Sequence, residues 1–375
     1  MLFRLRHPDF VSLRSGLIVL LLLTLAACEN SPDLQSVVPP TTLKIQSAVP
    51  EEFVIDGLLA GHFRQGLADR RAALDDAPEL IDFLYEKSAV FHDQKPVVAV
   101  QWYQRGDIVA TSDLFAAVGR GEIDGAWYPA SLAVRYNLAF ALLAGAPFGL
   151  DSEGYRRWAK SERGAALRDA LYQKFNIKAL LCGGGGPAGG GWFARKIDWE
   201  ADFDGLALRM VGPMSLVVAR LGADPVAAGA RKSLRLLAGG RIDGVEFGTP
   251  YHDWLIGAHE AGAVYYYPGW RFHGGTELII NLDRWRGLDE NSRDGLAAQC
   301  KETYEYSIAE DQRWRDDALA EFVADGISVE TVPPGAREVM KAAWEQVVRE
   351  QSAIDPEFGQ IWRSMMDFAD QERAQ

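Results

Sequence analysis

Apolar and polar positions alternate over several short stretches of the chain, which predicts strands, and longer periodic stretches between them predict helices. LKIQSAVP (residues 43–50) predicts the first strand of the mature fold, and KPVVAVQWYQRGDIV predicts a second strand region. Further strands are predicted in IKALLCGGGG, WFARKI and GLALRMVG. A continuous helical pattern from Asp289 to Asp325 predicts one long helix. Strands that alternate with helices predict an α/β protein with largely parallel sheets.

One helix–glycine–strand unit occurs twice, as VGRGEIDGAWY (118–128) and LAGGRIDGVEF (237–247). Superposing the two Ile-Asp-Gly triplets places Trp127 opposite Glu246. Ligands of open α/β sheets gather beyond the carboxyl ends of the strands. Two such strand ends therefore predict a cleft between two lobes. The alternative is that the unit recurs only because helix-to-strand turns reuse glycine and aspartate.

The N-terminal segment indicates export. Three arginines precede the apolar run GLIVLLLLTLAA, which ends at Cys28 and is short for a membrane span. The stretch LAAC resembles the lipobox of bacterial lipoproteins, which implies cleavage before Cys28 and lipidation of that cysteine. An ordinary secretory signal with an accidental cysteine is the alternative. We expect a signal peptide at 1–27 and a lipidated tether at 28–42.

The charge excludes some classes of partner. The net charge is −13, and removal of 1–27 takes away three arginines and one aspartate, which gives −15. An acidic body has no electrostatic reason to bind nucleic acid. An anionic ligand would therefore need a local basic group.

The chain contains none of the common catalytic motifs HExxH, GxSxG or P-loop. Cys182 and Cys300 match no metal-binding spacing, and they either pair in an oxidising compartment or remain free thiols. No enzymatic activity is predicted.

Arg209 is the most informative single residue. It lies among apolar residues in GLALRMVG. Its planar, permanently charged guanidinium suits a carboxylate ligand, although a structural salt bridge is the alternative. Glu246 follows the apolar IDGV and could receive a ligand hydroxyl, an ammonium group or a cation, or could pair with Arg209.

Several segments together resemble the solute receptors of tripartite ATP-independent periplasmic (TRAP) transporters. They are GGWFARKI, DFDGLALRMVG, LGADPV, LLAGGRIDGVEFGTPYHD, YYYPGW and NLDRWRGL, in family order within 105–335. The resemblance implies a two-lobe periplasmic-binding-protein-like fold with a ligand cleft between the lobes and a long connecting helix. It also implies that Arg209 pairs with a ligand carboxylate. The expected lobes are 43–165 with about 248–280, and 166–247 with about 281–375.

The segments most resemble the branch of 2-oxo acid and mannitol/chloroaromatic-type receptors. In some members of that branch, acidic and amide groups hold a cation that bridges to the ligand. Here the corresponding positions are Ala188, the pair Glu246-Phe247, and His273. Only Glu246 therefore remains as a candidate metal ligand, and no other cofactor is expected.

These features predict a lipid-anchored periplasmic receptor that captures a small organic acid and delivers it to TRAP membrane subunits. Two alternatives remain: a ligand-sensing lipoprotein of the same fold, and an enzyme that uses Glu246 and His273 as an acid–base pair. The predicted ligand-binding residues are Arg209, Glu246, Phe247, Trp127, Tyr128, Trp192 and His273.

Overall fold

The structure, a computed structural model, describes residues 41–49, 60–69, 98–199, 203–210 and 212–374. The predicted signal peptide, tether and lipidated Cys28 lie outside the described residues, apart from the last two positions of the tether. The strands are β1 (Thr41–Ser47), β2 (Val98–Tyr103), β3 (Gly125–Pro129), β4 (Ile177–Gly183), β5 (Gly191–Phe193), β6 (Ala207–Arg209), β7 (Asp224–Pro225), β8 (Gly244–Val245), β9 (Val264–Tyr266), β10 (Thr276–Asn281) and β11 (Ser328–Glu330).

The helices differ widely in length. They are α1 (60–69), α2 (Thr111–Arg120), α3 (Phe140–Leu143), α4 (Ser152–Lys160), α5 (Glu162–Gln173), α6 (Met214–Arg220), α7 (Ala230–Ala238), α8 (Pro250–Leu255), α9 (Leu282–Gly287), α10 (Glu290–Ala324), α11 (Pro334–Ile354) and α12 (Pro356–Arg373), with short 3-10 turns at Ala130–Ala133 and Ala258–Glu260. Across the part of the chain that the structure describes, no helix is both long and apolar enough to span a bilayer.

Two mixed sheets give the molecule its two lobes, which confirms the predicted α/β two-lobe fold. The first sheet has the order β2-β1-β3-β10-β4, and the second has the order β11-β9-β5-β8-β6-β7. The sheets are less parallel than predicted, because β10 runs antiparallel to both of its neighbours and β5 does the same in the second sheet. In chain order, each of these two strands is the first strand after the chain crosses from the other lobe.

The two crossing segments, 184–190 and 267–275, run side by side. Ala188 N donates to Arg271 O at 3.0 Å, and Gly269 N donates back to Ala188 O at 2.9 Å. The glycine-rich stretch after β4 is therefore closely packed. A Cβ on Gly189 would lie 2.2 Å from the Tyr265 hydroxyl oxygen, so a side chain has no room there.

The predicted long helix is confirmed as α10. The Asp289 side chain caps it by accepting from Ser292 N at 2.8 Å. Helix α10 packs along β4 of the first sheet and against α8 and β11 on the side of the second sheet. Cys300 on this helix forms a disulfide with Cys182 at the end of β4, which resolves the alternatives for the two cysteines.

The predicted lobe boundaries differ from the observed sheet membership at two strands. Strand β4 was expected in the second lobe but belongs to the first sheet, and β9 was expected in the first lobe but belongs to the second sheet. The C-terminal helices also divide: α11 packs on α6 of the second lobe, whereas α12 packs on α4 and α5 of the first. The predicted and observed boundaries differ because the chain crosses between the lobes just before β5 and just before β10.

The two Ile-Asp-Gly units have equivalent local structures. Gly121 and Gly240 both take left-handed conformations, with φ of 75° and 62°, and end their helices. The Asp124 carboxylate accepts from Lys44 N of β1, and the Asp243 carboxylate accepts from Ala207 N of β6, both at 2.9 Å. Each aspartate therefore binds the backbone of the neighbouring parallel strand, which gives the repeated unit a structural role.

Candidate ligand-binding site

A cavity of about 440 Å³ lies between residues that belong to the two lobes. This volume lies within the usual range for small-molecule sites, about 300–1,000 Å³. The first lobe contributes mainly apolar and small residues, namely Pro129, Ser131, Leu132, Val134, Ala141, Ala144, Gly145 and Pro147, with Gly274 and Gly275 beside them. The opposite wall carries the charged groups, namely Arg209 and Arg271, with His273, Phe247, Met210 and Met214.

Arg209 is the last residue of β6 and lines the cavity. Its Nε–H donates to Ala228 O at 3.2 Å, and Nη1 donates to the backbone oxygen of Glu246. The guanidinium carbon lies 4.6 Å from the centre of the Phe247 ring. Among the described residues, the two N–H groups of Nη2 have no hydrogen-bond acceptor, so this edge is available to a ligand.

The electrostatic setting of Arg209 favours an anion. Burial lowers the pKa of Arg209, the charge of Glu246 opposes this effect, and the charge of Arg271 adds to it. An arginine stays protonated even so. A ligand carboxylate would offset both the burial and the repulsion between the two guanidinium groups.

Glu246 lies directly after β8 and is fully buried. Its Oε1 accepts from Arg271 Nε at 2.8 Å, and its backbone N–H donates to Arg209 O at 2.8 Å. The carboxylate therefore pairs with Arg271, and the pair with Arg209, which was one of the alternatives for Glu246, is not formed. The side chain of Glu246 thus holds Arg271, which lines the cavity, in place.

His273 lines the cavity and stays neutral. Burial, with the charges of His252 and Arg271, lowers the pKa of His273 to about 3. Its backbone N–H donates to Gly186 O at 2.8 Å, which fixes it to the other crossing segment. A neutral imidazole can exchange a hydrogen bond with a ligand but contributes no charge.

Three aromatic residues predicted to bind ligand lie elsewhere. Trp127 is fully buried and packs against Phe63 and Trp102, with ring centroids 5.4 and 6.2 Å away. Tyr128 faces the other side of the same strand, in the apolar core of the first lobe. The sheet is buried on both faces, so the end of β3 offers its rings to the core, and Pro129 and Ser131 reach the cavity instead.

Trp192 is likewise a core residue. Its ring stacks on Tyr265 with centroids 4.3 Å apart, and Nε1 donates to Asp253 Oδ2 at 2.9 Å. The other oxygen of Asp253 accepts from Gly248 N at 2.9 Å. Trp192 thus helps to position the backbone that follows Phe247, and it does not line the cavity.

Arg271 is the site residue that the sequence analysis missed. It lies between Trp270 and Phe272, and its side chain is only 9% exposed. The signal that identified Arg209, a lone arginine among apolar residues, was also present in YYYPGWRFHGG.

The family of the chain follows from comparison with known proteins. Residues 91–354 match the model of the DctP family, described as bacterial extracellular solute-binding protein, family 7. The chain belongs to this family. A monocarboxylate 2-oxoacid-binding periplasmic protein of Nostoc is 26% identical over 273 residues, which are 72% of this chain and 74% of the relative.

Solved structures of TRAP solute-binding proteins share the fold. One from Bordetella bronchiseptica, which contains copurified calcium and picolinate, has a TM-score of 0.75 at 23% identity, over 90% of this chain and 94% of its own. One from Pseudoalteromonas atlantica, which contains sodium and pyruvate, has a TM-score of 0.75 at 19% identity, over 89% of this chain and 95% of its own. The chain is a periplasmic solute-binding receptor of the TRAP family, and the matched proteins are binding proteins rather than enzymes.

Proposed function

We propose that this receptor captures a small organic acid by binding its carboxylate to the Nη2 edge of Arg209 and delivers it to TRAP membrane subunits. The observation that carries the proposal is the position of Arg209 in the cavity, with two N–H groups that have no acceptor among the described residues. The acids bound by the matched proteins, pyruvate and picolinate, are of the same class.

The shape of the cavity supports this choice of ligand. Cationic side chains lie on one wall, and mainly apolar residues with the Ser131 hydroxyl lie on the other. A small acid would place its carboxylate on the first wall and its carbon skeleton against the second. Movement of the lobes toward each other would then exclude water and strengthen the charged hydrogen bonds.

Calorimetric titration with pyruvate, picolinate, malonate and pyroglutamate tests the proposal. We expect Arg209→Lys to weaken binding of the best acid by about 10-fold to 100-fold, because lysine loses the bidentate fork and one charged hydrogen bond. Arg241→Lys is the matched control, since Arg241 is exposed in a turn of the same lobe. Unchanged affinity in a folded Arg209→Lys protein would contradict the carboxylate site.

We also propose that Cys28 anchors the receptor to a membrane. The support is the LAAC stretch after the apolar run. Expression with labelled palmitate should label the wild-type protein and leave Cys28→Ser unlabelled. Equal release of both proteins from the periplasm without detergent would contradict the anchor.

A further inference from the structure

Arg271 occupies the space between the cavity and the end of β8. Its Nε donates to Glu246 Oε1 at 2.8 Å, and its Nη2 donates to Phe247 O at 2.7 Å. Nη1 makes a longer contact of 3.4 Å with Phe272 O. A single guanidinium thus binds both the buried carboxylate and the carbonyl that follow β8, and it also lines the cavity.

The oxygens that hold Arg271 are the kind that a hard cation would use. Calcium takes six to eight oxygen ligands at about 2.3–2.6 Å, and carboxylate and carbonyl oxygens are typical donors. Here both oxygens already lie within 2.8 Å of guanidinium nitrogens. A metal ion bound to the same oxygens would lie next to the positive charge of Arg271.

The remaining donors at this place do not compensate for that charge. Ala188, whose backbone N–H donates to Arg271 O, has only a methyl side chain, and His273 offers an imidazole, a ligand type that hard cations such as calcium and sodium disfavour. Within the described ranges, no three or more His, Cys, Asp or Glu side chains are grouped closely enough to hold a metal ion together. The residues therefore do not fit the calcium or sodium of the matched structures.

We propose that Arg271 is a resident cation that neutralises Glu246 and binds the ligand together with Arg209, so that this receptor takes its acid without a metal ion. This inference rests on the proposed function, because it assumes a carboxylate on Arg209. Of the five N–H groups of Arg271, three are engaged by Glu246, Phe247 and Phe272. The other two have no acceptor among the described residues and are available to a second oxygen of the ligand.

The arrangement selects a chemical class of ligand. Two guanidinium groups on one wall favour an acid that has a second acceptor oxygen near its carboxylate, as pyruvate has. The mainly apolar wall of the first lobe limits charge at the other end. A simple aliphatic acid without the second oxygen would use Arg209 and leave Arg271 without a ligand contact.

The first experiment uses calcium alone, followed by thermal melting and calorimetry of the chelator-treated protein. We expect no calcium-dependent change in wild type. We expect Arg271→Gln to gain calcium binding, because Glu246 and Phe247 O then lose their cation. A calcium-stabilised wild type, or an Arg271→Gln protein that ignores calcium, would overturn the proposal.

Two further variants guard against a folding artefact. The double variant Glu246→Gln/Arg271→Gln removes both charges and should fold without binding calcium. Arg337→Gln is the matched control, because Arg337 donates to Gly269 O at 2.7 Å in the same crossing segment and does not contact Glu246. Calcium binding by the double variant or by the control would show that the gain is not due to a vacated arginine position.

The second experiment measures pyruvate affinity in choline buffer with chelator and again with calcium. Wild type should bind equally in both. Arg271→Gln should bind about 10-fold more weakly with chelator, the loss expected for one charged hydrogen bond, and should recover with calcium. Wild-type binding that needs calcium and still depends on Arg209 would refute the resident cation and leave the carboxylate receptor intact. Absence of binding for every acid tested would refute the carboxylate function, while the calcium arm would still decide the role of Arg271.

Discussion

The two Ile-Asp-Gly units have the same local backbone and opposite roles. In the first lobe, the unit leads to Trp127, which packs into an apolar core with Phe63 and Trp102. In the second lobe, it leads to Glu246, which is equally buried but pairs with Arg271 beside the cavity. The repeated sequence therefore determines the turn and the strand, whereas the crossing segment packed against the strand end determines whether that end joins the core or the cavity wall.

The equivalence extends to packing at the glycines. A Cβ on Gly125 would lie 2.6 Å from Ile279 O, and one on Gly244 would lie 2.5 Å from Phe193 Cε1. Gly125 therefore lies against the backbone of β10, and Gly244 lies against the Phe193 ring of β5. The two units differ in function at the position two residues after these glycines, where the first has Trp127 and the second has Glu246.

The largest expected effect is at Trp127. We expect Trp127→Ala to lower the free energy of unfolding by about 3–5 kcal/mol, since it removes a fully buried ring. Ligand affinity of the folded protein should not change. Chemical denaturation and calorimetry measure the two quantities. A clear loss of affinity without loss of stability would return Trp127 to the ligand site.

The glycines come next. We expect Gly125→Ala and Gly244→Ala to cost about 1–3 kcal/mol each, with Gly125→Ala the more costly. The reason is that Gly125 faces a backbone carbonyl, whereas Gly244 faces an aromatic ring that can shift. Urea denaturation of both variants provides the measurement. A larger loss for Gly244→Ala would mean that the Phe193 ring shifts less easily than the backbone at Ile279.

The aspartates test whether the two units are equivalent. We expect Asp124→Ala and Asp243→Ala to lose about 1–2 kcal/mol of stability each, because each leaves one backbone N–H of a parallel strand without its acceptor. The exposed Arg284 that also contacts Asp124 should add little. Thermal melting of the two variants measures the two losses of stability. A large difference between the two losses would break the equivalence.

The smallest expected effect is on pH dependence, and it comes from His273 in the crossing segment that also carries Arg271. The folded pKa of about 3 lies below the ordinary value of 6.5, so the unfolded chain binds the proton more readily. Stability should therefore be complete above pH 6.5 and should fall by about 1 kcal/mol on acidification by one unit. His273→Asn should lack this loss in denaturation curves measured over that range. An identical pH profile would show that other groups cause it.

The sequence was informative wherever a local pattern determines structure. The long helix and the glycine-ended helices follow from periodicity. The arginine among apolar residues, together with the family resemblance, indicated Arg209, which lines the cavity. The side to which the Trp127 ring points could not be predicted. A strand that is buried on both faces shows no alternation of apolar and polar residues that would separate core positions from cleft positions. The pair of Glu246 and Arg271 joins residues 25 positions apart through the crossing of the lobes, which no local pattern contains.

The disulfide has a consequence for cleavage by proteases. The segment between Cys182 and Cys300 contains β5, β6, β7, β8 and β9, so most of the second sheet lies inside one covalent loop. A single cut within this loop leaves two fragments that remain linked until a reductant is added. A receptor nicked there would thus keep Pro129 and Arg209, from opposite walls of the cavity, in one molecule.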